Sequence, residues 1–374
     1  MKKIQYGKQC IEEDDIEAVV NVLRGDLITQ GPKVEEFERN FANYCNTKYA
    51  VAFCNGTSAL HAAYNAAGLG EGDELITTTN TFLSTANAGE FLNATTVFCD
   101  ISMDSYNIDT EEIAKKIGKK TKIITPVSYS GYPVDIVKIK EIAGDKIVVI
   151  EDAAHALGAK RYNQNVGKQA DMTMFSFHPI KHITTGEGGM ITTDNEEYYE
   201  KLKLFRNHGT YKNAELAKSK GLWYYEMAEI GYNYRLTDIQ AALGISQLKK
   251  ADRFVSRRRE IEKKYDEAFN NIEGIKIPPN SEKFQNSYHL YPILIENRDK
   301  LYHQLREENI YCQINYIPLH FQPYYKKKYS YKVGDYKNAE QFYEKELSIP
   351  MYPSLTNEEV DYLIEIIVEK IRKL

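Results

Sequence analysis

Between residues 49 and 193, short β-rich runs alternate with helical patterns: YAVAF (49–53), ELITTT (74–79), TTVFCDI (95–101), KIITPVSY (122–129), KIVVIED (146–152), MTMFSF (172–177) and GMITT (189–193). Strand, helix, strand in steady alternation is the pattern of a wound, mostly parallel sheet, because parallel neighbours need a crossover long enough to hold a helix. Several of the runs are apolar at both parities, as expected of strands covered by helices on both faces. The expected class is therefore α/β, with a mostly parallel seven-stranded sheet in a large domain.

The flanks extend this plan. An acidic helical pattern covers 11–23, and Val34, Phe37 and Phe41 recur at spacings of 3 and 4 in a helix entered through Pro32. After Asp194 helices and loops dominate to about residue 270, followed by two strand candidates, HLYPILI (289–295) and IYCQINY (310–316). We expect a large domain over 1–249, including the N-terminal helical segment, and a smaller α/β domain over 250–374. The segment 249–264 carries eight Lys/Arg against three Asp/Glu; it reads as the solvated face of a long helix or as a contact for substrate phosphates. The tract YYKKKYSYK (324–332) reads as an exposed loop.

Composition excludes several classes of function. With 48 Lys+Arg against 53 Asp+Glu the net charge is −5, and no long basic block marks a nucleic-acid partner. No run approaches the roughly 18 consecutive apolar residues of a membrane span, and no apolar leader opens the chain. A cytoplasmic protein is expected. The five cysteines are scattered and form neither a C-x-x-C pair nor a cluster with His at ligand spacing, so neither a metal site nor a disulfide framework is expected.

Four segments can carry chemistry. In CNGTSALHAAYNAAGLG (54–70) a strand ends, Gly56 turns, and Thr57 and Ser58 open an Ala-rich helix; such a junction either caps its helix or binds phosphate. In VVIEDAAHALGA (148–159) an apolar strand runs into carboxylates. There Asp152 can hold a protonated ring nitrogen with His155 beside the same ligand, or can cap the following turn. In MFSFHPIKHITTGEGGMITT (174–193) Lys181 lies in a Gly/Thr-rich turn between two strands, where partial desolvation suits a Schiff-base nucleophile. In GYNYRLTDIQAAL (231–243) Asn233 and Arg235 precede a helix start and offer donors to an anion, or to an acidic neighbour.

Together, in this order and spacing, the four segments resemble the DegT/DnrJ/StrS family of sugar aminotransferases, enzymes of fold type I that depend on pyridoxal phosphate (PLP). The resemblance runs from TQGPKVEEFE to the C-terminal lobe. It implies that Lys181 is the lysine that carries the cofactor, that Asp152 partners the pyridinium nitrogen, and that His155 lies by the ring near its O3′ hydroxyl. It also implies that Thr57, Ser58 and Ser176 bind the phosphate and that Phe82, in TFLSTANA, stacks on the ring. Asn233 matches a residue donated across a homodimer interface to the other subunit's phosphate, while His178, Arg235, Tyr316 and His320 match substrate contacts. Within the family, SFHPIKHITTGEGG, HLYPIL and QINYIP look most like enzymes that aminate C4 of a UDP-linked 4-keto-6-deoxy-N-acetylhexosamine on the pseudaminic acid route. Asn315 stands where such enzymes carry His before the Tyr.

The resemblance implies glutamate as amino donor, a nucleotide keto-sugar as acceptor, and pyridoxamine phosphate as the form the cofactor takes between half-reactions. Other acceptors within the family remain open, with bacillosamine-route or dTDP sugars and C3 amination among them. A sugar dehydratase dependent on pyridoxamine phosphate is a rival, although such enzymes replace the lysine by histidine. A cofactor-binding regulator without turnover is another, although it needs neither Lys181 nor Asp152.

Overall fold

The computed structural model describes residues 3–373, apart from the side chain of Leu216. Seven strands form the main sheet: β1 (Tyr49–Phe53), β2 (Glu74–Thr78), β3 (Thr95–Cys99), β4 (Thr121–Thr125), β5 (Val148–Asp152), β6 (Met172–Ser176) and β7 (Gly189–Thr193). Their order is β1-β7-β6-β5-β4-β2-β3. Only β7 runs against the rest, antiparallel to both β1 and β6, while β6-β5-β4-β2-β3 are joined by parallel ladders. All seven runs read from the sequence are strands of this sheet, and its mostly parallel character is as expected.

Helices cover both faces, and the apolar runs show why. On β6 and β7, Phe175 and Met190 enter a core with Phe37 and Phe41, whereas their chain neighbours Met174 and Ile191 enter another with Leu60 and Leu202. A strand that is buried on both sides must be apolar at both parities. The first core is closed by α2 (Pro32–Cys45), which opens with Pro at its first position, and by the helix Asp238–Leu248, where Thr237 and Gln240 form a capping box. The second is closed by α3 (Gly56–Ala66) and by the helix Glu196–Arg206.

A three-stranded antiparallel sheet, β8 (Ile275–Lys276), β9 (Tyr291–Ile295) and β10 (Glu346–Ile349), organises the C-terminal part. Its core also takes Ile4, whose backbone bridges Ile310. An aromatic cluster containing Phe98, Tyr129, Tyr325 and Phe342 packs this part against the main sheet.

Three expectations are corrected here. IYCQINY is not a strand: only isolated bridges, Ile4 to Ile310 and Gln313 to Ser348, pair it. The tract 324–332 is largely helical, in Pro323–Tyr329, with Tyr325 buried. The basic segment 249–264 is neither a plain solvated face nor a free phosphate contact. Within the helix Ala251–Phe269, Arg258 is fully buried and donates to the carbonyls of Tyr288, His289 and Met351, while Arg253 pairs with Glu12; just before that helix Lys250 pairs with Asp14 and Asp15. Its cations tie this helix to the N-terminal helix and to the C-terminal part. Among the described residues no helix is long and apolar enough to cross a membrane, and no group of three or more His, Cys, Asp or Glu could hold a metal ion.

Candidate active site

Strand ends set the site. β5 ends at Asp152 and β6 at Ser176, and the reversed β7 begins at Gly189 opposite both Ser176 and Phe53. These ends meet the start of α3 at the carboxyl edge of the parallel strands, where open α/β sheets bind ligands. A Cβ on Gly189 would lie 2.5 Å from the Asn55 carbonyl oxygen and 2.9 Å from the Gly56 nitrogen, so glycine lets β7 pass this turn. Asn55 caps α3 by accepting the Ser58 N–H at 2.8 Å, and the Ser58 hydroxyl accepts the Asn55 N–H at 3.2 Å. The Ser58 side chain therefore serves the cap. Thr57 instead points its hydroxyl to that of Ser84, 2.7 Å away, and Ser176 lies against the first turn, its Oγ 3.6 Å from where a Gly56 Cβ would sit.

The floor of the site is a buried carboxylate. Asp152 is 5% exposed, and its Oδ2 accepts the Thr85 hydroxyl at 2.7 Å while Oδ1 accepts the Ala154 N–H at 3.1 Å. Burial pushes its carboxyl up from the ordinary value; the Thr85 hydroxyl, the Ala154 N–H and the charge of Lys181 oppose that rise. Thr85 lies on α4 (Leu83–Glu90), one turn after Phe82. Phe82 is 55% exposed with its ring centroid 5.9 Å from that of Tyr316, so it forms an open apolar wall.

Lys181 lies in the turn between β6 and β7, held by its N–H to the His178 carbonyl at 2.9 Å. Its side chain is half-buried, and burial brings the amine from 10.5 down to about 7, against the pull of Asp152 and with help from Arg258. Its Nζ lies 3.3 Å from Nε2 of His289. His155 is buried with its ring centroid 4.3 Å from that of His289 and its Nε2 3.0 Å from the Tyr316 hydroxyl. Desolvation, then the charge of Lys181, holds His155 well below the usual histidine range, so it is neutral.

The structure thus gathers Lys181, Asp152, His155, Phe82 and Tyr316 in one place, with Thr57 and Ser176 at the adjoining helix start. It sets others apart. His178 is exposed, its N–H 3.4 Å from the Ser176 hydroxyl. His320 is fully buried, with Nδ1 2.7 Å from the Thr79 hydroxyl and Nε2 3.1 Å from a Glu340 oxygen, so both ring nitrogens are taken by the scaffold. Asn233 is exposed and bridges Asn207 through its backbone, and Arg235 donates to Asn207 Oδ1 at 2.7 Å along a cleft shared with Gln30 and Tyr211. Neither touches the Lys181 cluster within one chain. Sequence reasoning missed Thr85 and His289. The first sits within TFLSTANA and the second opens HLYPIL, but a lone Thr or His in an apolar setting carries no signal of its partner before the chain is folded.

The matching family model is the DegT/DnrJ/EryC1/StrS aminotransferase family, over residues 9–368. The chain is 37% identical over 384 residues to a UDP-4-amino-4,6-dideoxy-N-acetyl-beta-L-altrosamine transaminase of Campylobacter jejuni, covering 99% of each chain. Among solved structures it resembles Helicobacter pylori PseC, an aminotransferase involved in the biosynthesis of pseudaminic acid, at TM-score 0.94 and 33% identity over 100% of both chains. The PLP form of the putative sugar aminotransferase Spr1654 from Streptococcus pneumoniae matches at TM-score 0.92 and 30% identity, covering 99% of this chain and 100% of that one.

The residues present fit PLP. A buried carboxylate without a cationic hydrogen-bond partner among the described residues suits a protonated ring nitrogen, and His155 Nδ1 is buried with no partner of its own. The open ring of Phe82 and the start of α3, with the Thr57 and Ser176 hydroxyls beside it, complete a cradle for an aromatic phosphate ester. The chain belongs to the DegT/DnrJ/EryC1/StrS aminotransferase family and is a pyridoxal-phosphate-dependent aminotransferase.

Proposed function

We propose that this enzyme moves the amino group of glutamate to C4 of a UDP-linked 4-keto-6-deoxy-N-acetylhexosamine, the UDP-4-keto-6-deoxy-N-acetyl-altrosamine of pseudaminic acid biosynthesis. The observation that carries the reading is that Lys181 and Asp152 lie close enough at one sheet edge for each charge to act on the other; the acceptor rests on the likeness to the Campylobacter and Helicobacter proteins. When bound, PLP supplies an electron sink for the carbon that loses its proton. Asp152 keeps a proton on the ring nitrogen, and Thr85 and Ala154 hold the carboxylate in place for it. Lys181 is the lysine that carries the cofactor. An amine poised at about 7 changes protonation state near neutral pH, so when free it can take and return the substrate proton.

Phe82 and His155 flank the ring in this reading, and Thr57 and Ser176 take the phosphate, while Ser58, whose N–H and hydroxyl are both bonded to Asn55, shapes the turn beside it. Tyr316 and the exposed His178 face the substrate, whereas His320 acts through the packing of Leu319–Phe321. Asn233 acts on a partner's site in a homodimer, and Arg235 is a substrate contact whose guanidinium is oriented by Asn207. The segment before them exposes Leu222 (87%), Trp223 (63%) and Ile230 (79%), apolar surface that a second copy would cover. Residues 1–249 form the large domain and 250–374 the small one, which Ile4 joins. Five free cysteines, three of them buried, suit the reducing cytoplasm.

The test is an absorbance spectrum of the purified protein before and after glutamate, then with a panel of nucleotide 4-keto and 3-keto sugars. The expected result is a cofactor band that glutamate removes and the UDP-4-keto sugar restores. Restoration only by another sugar overturns the acceptor; no band after PLP is supplied overturns Lys181.

A further inference from the structure

We propose that His289 is a positioning residue for Lys181, its Nε2 being the station where the lysine amine docks whenever that amine is free. The inference rests on the assignment of Lys181 made above. Among the described residues, His289 Nε2, at 3.3 Å, is the one hydrogen-bond partner of the Lys181 amine. The backbone that carries the imidazole is anchored, and the ring is flanked on two sides. Its carbonyl and that of Tyr288 accept from the buried Arg258 at 3.2 and 3.1 Å. Its ring lies between His155, at 4.3 Å between centroids, and His182, at 5.7 Å, and His182 is itself pinned through Nε2 to the Ser287 carbonyl at 3.1 Å. A buried ring placed between two others marks one point in space for a flexible lysine.

The chemistry of that point suits a proton carrier. His289 is buried at 3% exposure and its Nδ1 has no partner, so nothing dictates which ring nitrogen carries the proton. With the proton on Nδ1, Nε2 accepts from an ammonium; with the proton on Nε2, it donates to a neutral amine. Burial, then the charge of Lys181, keeps the ring itself uncharged. The charged and titratable groups facing Lys181 are Asp152, Arg258, His155, His178, His182 and His289. A carboxylate at position 289 would hold the lysine as ammonium, whereas a neutral imidazole binds both forms and leaves the amine free to change between them.

The experiment reads Lys181 directly in cofactor-free, full-length protein, by a brief pulse of acetic anhydride at a series of pH values and mass spectrometry of the Lys181 peptide. The wild-type midpoint is expected near 7, in line with an amine brought to about 7. His289→Glu should raise that midpoint by at least about one pH unit, because a carboxylate in contact favours the ammonium. A folded His289→Glu protein with an unmoved midpoint overturns the proposal. Should that variant not fold, His289→Leu and His289→Gln decide. The Leu variant should lose about tenfold in kcat with the glutamate KM nearly unchanged, and Gln should recover most of it; full kcat in the Leu variant overturns the proposal. Borohydride reduction of the PLP-loaded wild type separates the two readings. Cofactor fixed to another residue defeats the Lys181 assignment, whereas cofactor on Lys181 with an unmoved His289→Glu midpoint defeats only the role of His289.

Discussion

The hydroxyl of Thr85 donates to Asp152 Oδ2 at 2.7 Å, joining α4 to the end of β5 beneath the site. Since its proton goes to the carboxylate, the 2.8 Å contact with Thr81 must be a bond that Thr85 accepts, so the two threonines form a short relay aimed at Asp152. The relay opposes the upward push that burial exerts on the carboxyl.

Thr85→Val keeps the shape and removes the donor. We expect kcat to fall about tenfold, as for a lost hydrogen bond to a buried charge, with Thr85→Ser restoring most of it. Asp152→Asn should retain PLP and lose turnover by orders of magnitude. Steady-state kinetics beside a PLP-binding titration checks both; near-normal activity of Asp152→Asn would remove it from the ring nitrogen.

Glu346 predicts a dependence of stability on pH. It is fully buried, and burial raises its carboxyl from 4.5 to about 8 against the Ser348 hydroxyl, the Asn315 N–H and the charge of Arg298. Between those two values the folded protein binds more protons than the unfolded chain, so stability falls as pH rises through that window and levels off above it. Glu346→Gln removes the titration while keeping an acceptor for Asn315. Its Tm should gain on the wild type from about pH 5 to pH 8, where the slope is at most about 1.4 kcal/mol per pH unit; parallel Tm curves would contradict this.

If Asn233 serves the neighbouring subunit, two defective proteins should complement each other. Mixing Lys181→Ala with Asn233→Ala after mild dissociation should yield hybrid dimers with one intact site and a measurable fraction of wild-type activity. Absence of rescue, with hybrids verified by native mass spectrometry, would place the whole site in one chain.

Gly189→Ala brings a Cβ to 2.5 Å from the Asn55 carbonyl oxygen, backbone against side chain at a crowded crossing. The turn that starts α3 must move. Thermal unfolding should show a loss of about 2 kcal/mol, and PLP affinity should weaken with it. An unchanged PLP Kd would separate this turn from the phosphate cradle.

The main sheet was legible because each strand carries its own signal. The seven β-rich runs, several of them apolar at both parities, coincide with β1 to β7, and the sequence places Asp152 and Ser176 at strand ends. Elsewhere local signal and tertiary outcome part. IYCQINY has strand composition, but the chain there turns Asn315 and Tyr316 toward the site, where Tyr129 donates to the Asn315 carbonyl and Tyr316 meets His155. ELSI (346–349) is a strand although it is short and follows directly on a helix, because it has β9 to pair with. The basic helix looked like a solvated surface because composition cannot say that Arg258 will be buried against three carbonyls.

By itself, the sequence determined the wound sheet and the order in which a capped helix start, a strand-end carboxylate and a loop lysine reach one edge. Strand and helix periodicities are local, and a parallel winding brings successive strand ends together whatever the details. Only the tertiary structure decided which groups touch those residues: Thr85 on Asp152, Tyr316 on His155, and His289 on Lys181, partners 67, 161 and 108 positions apart. Contacts at such separations depend on how whole layers pack, and no spacing along the chain encodes them.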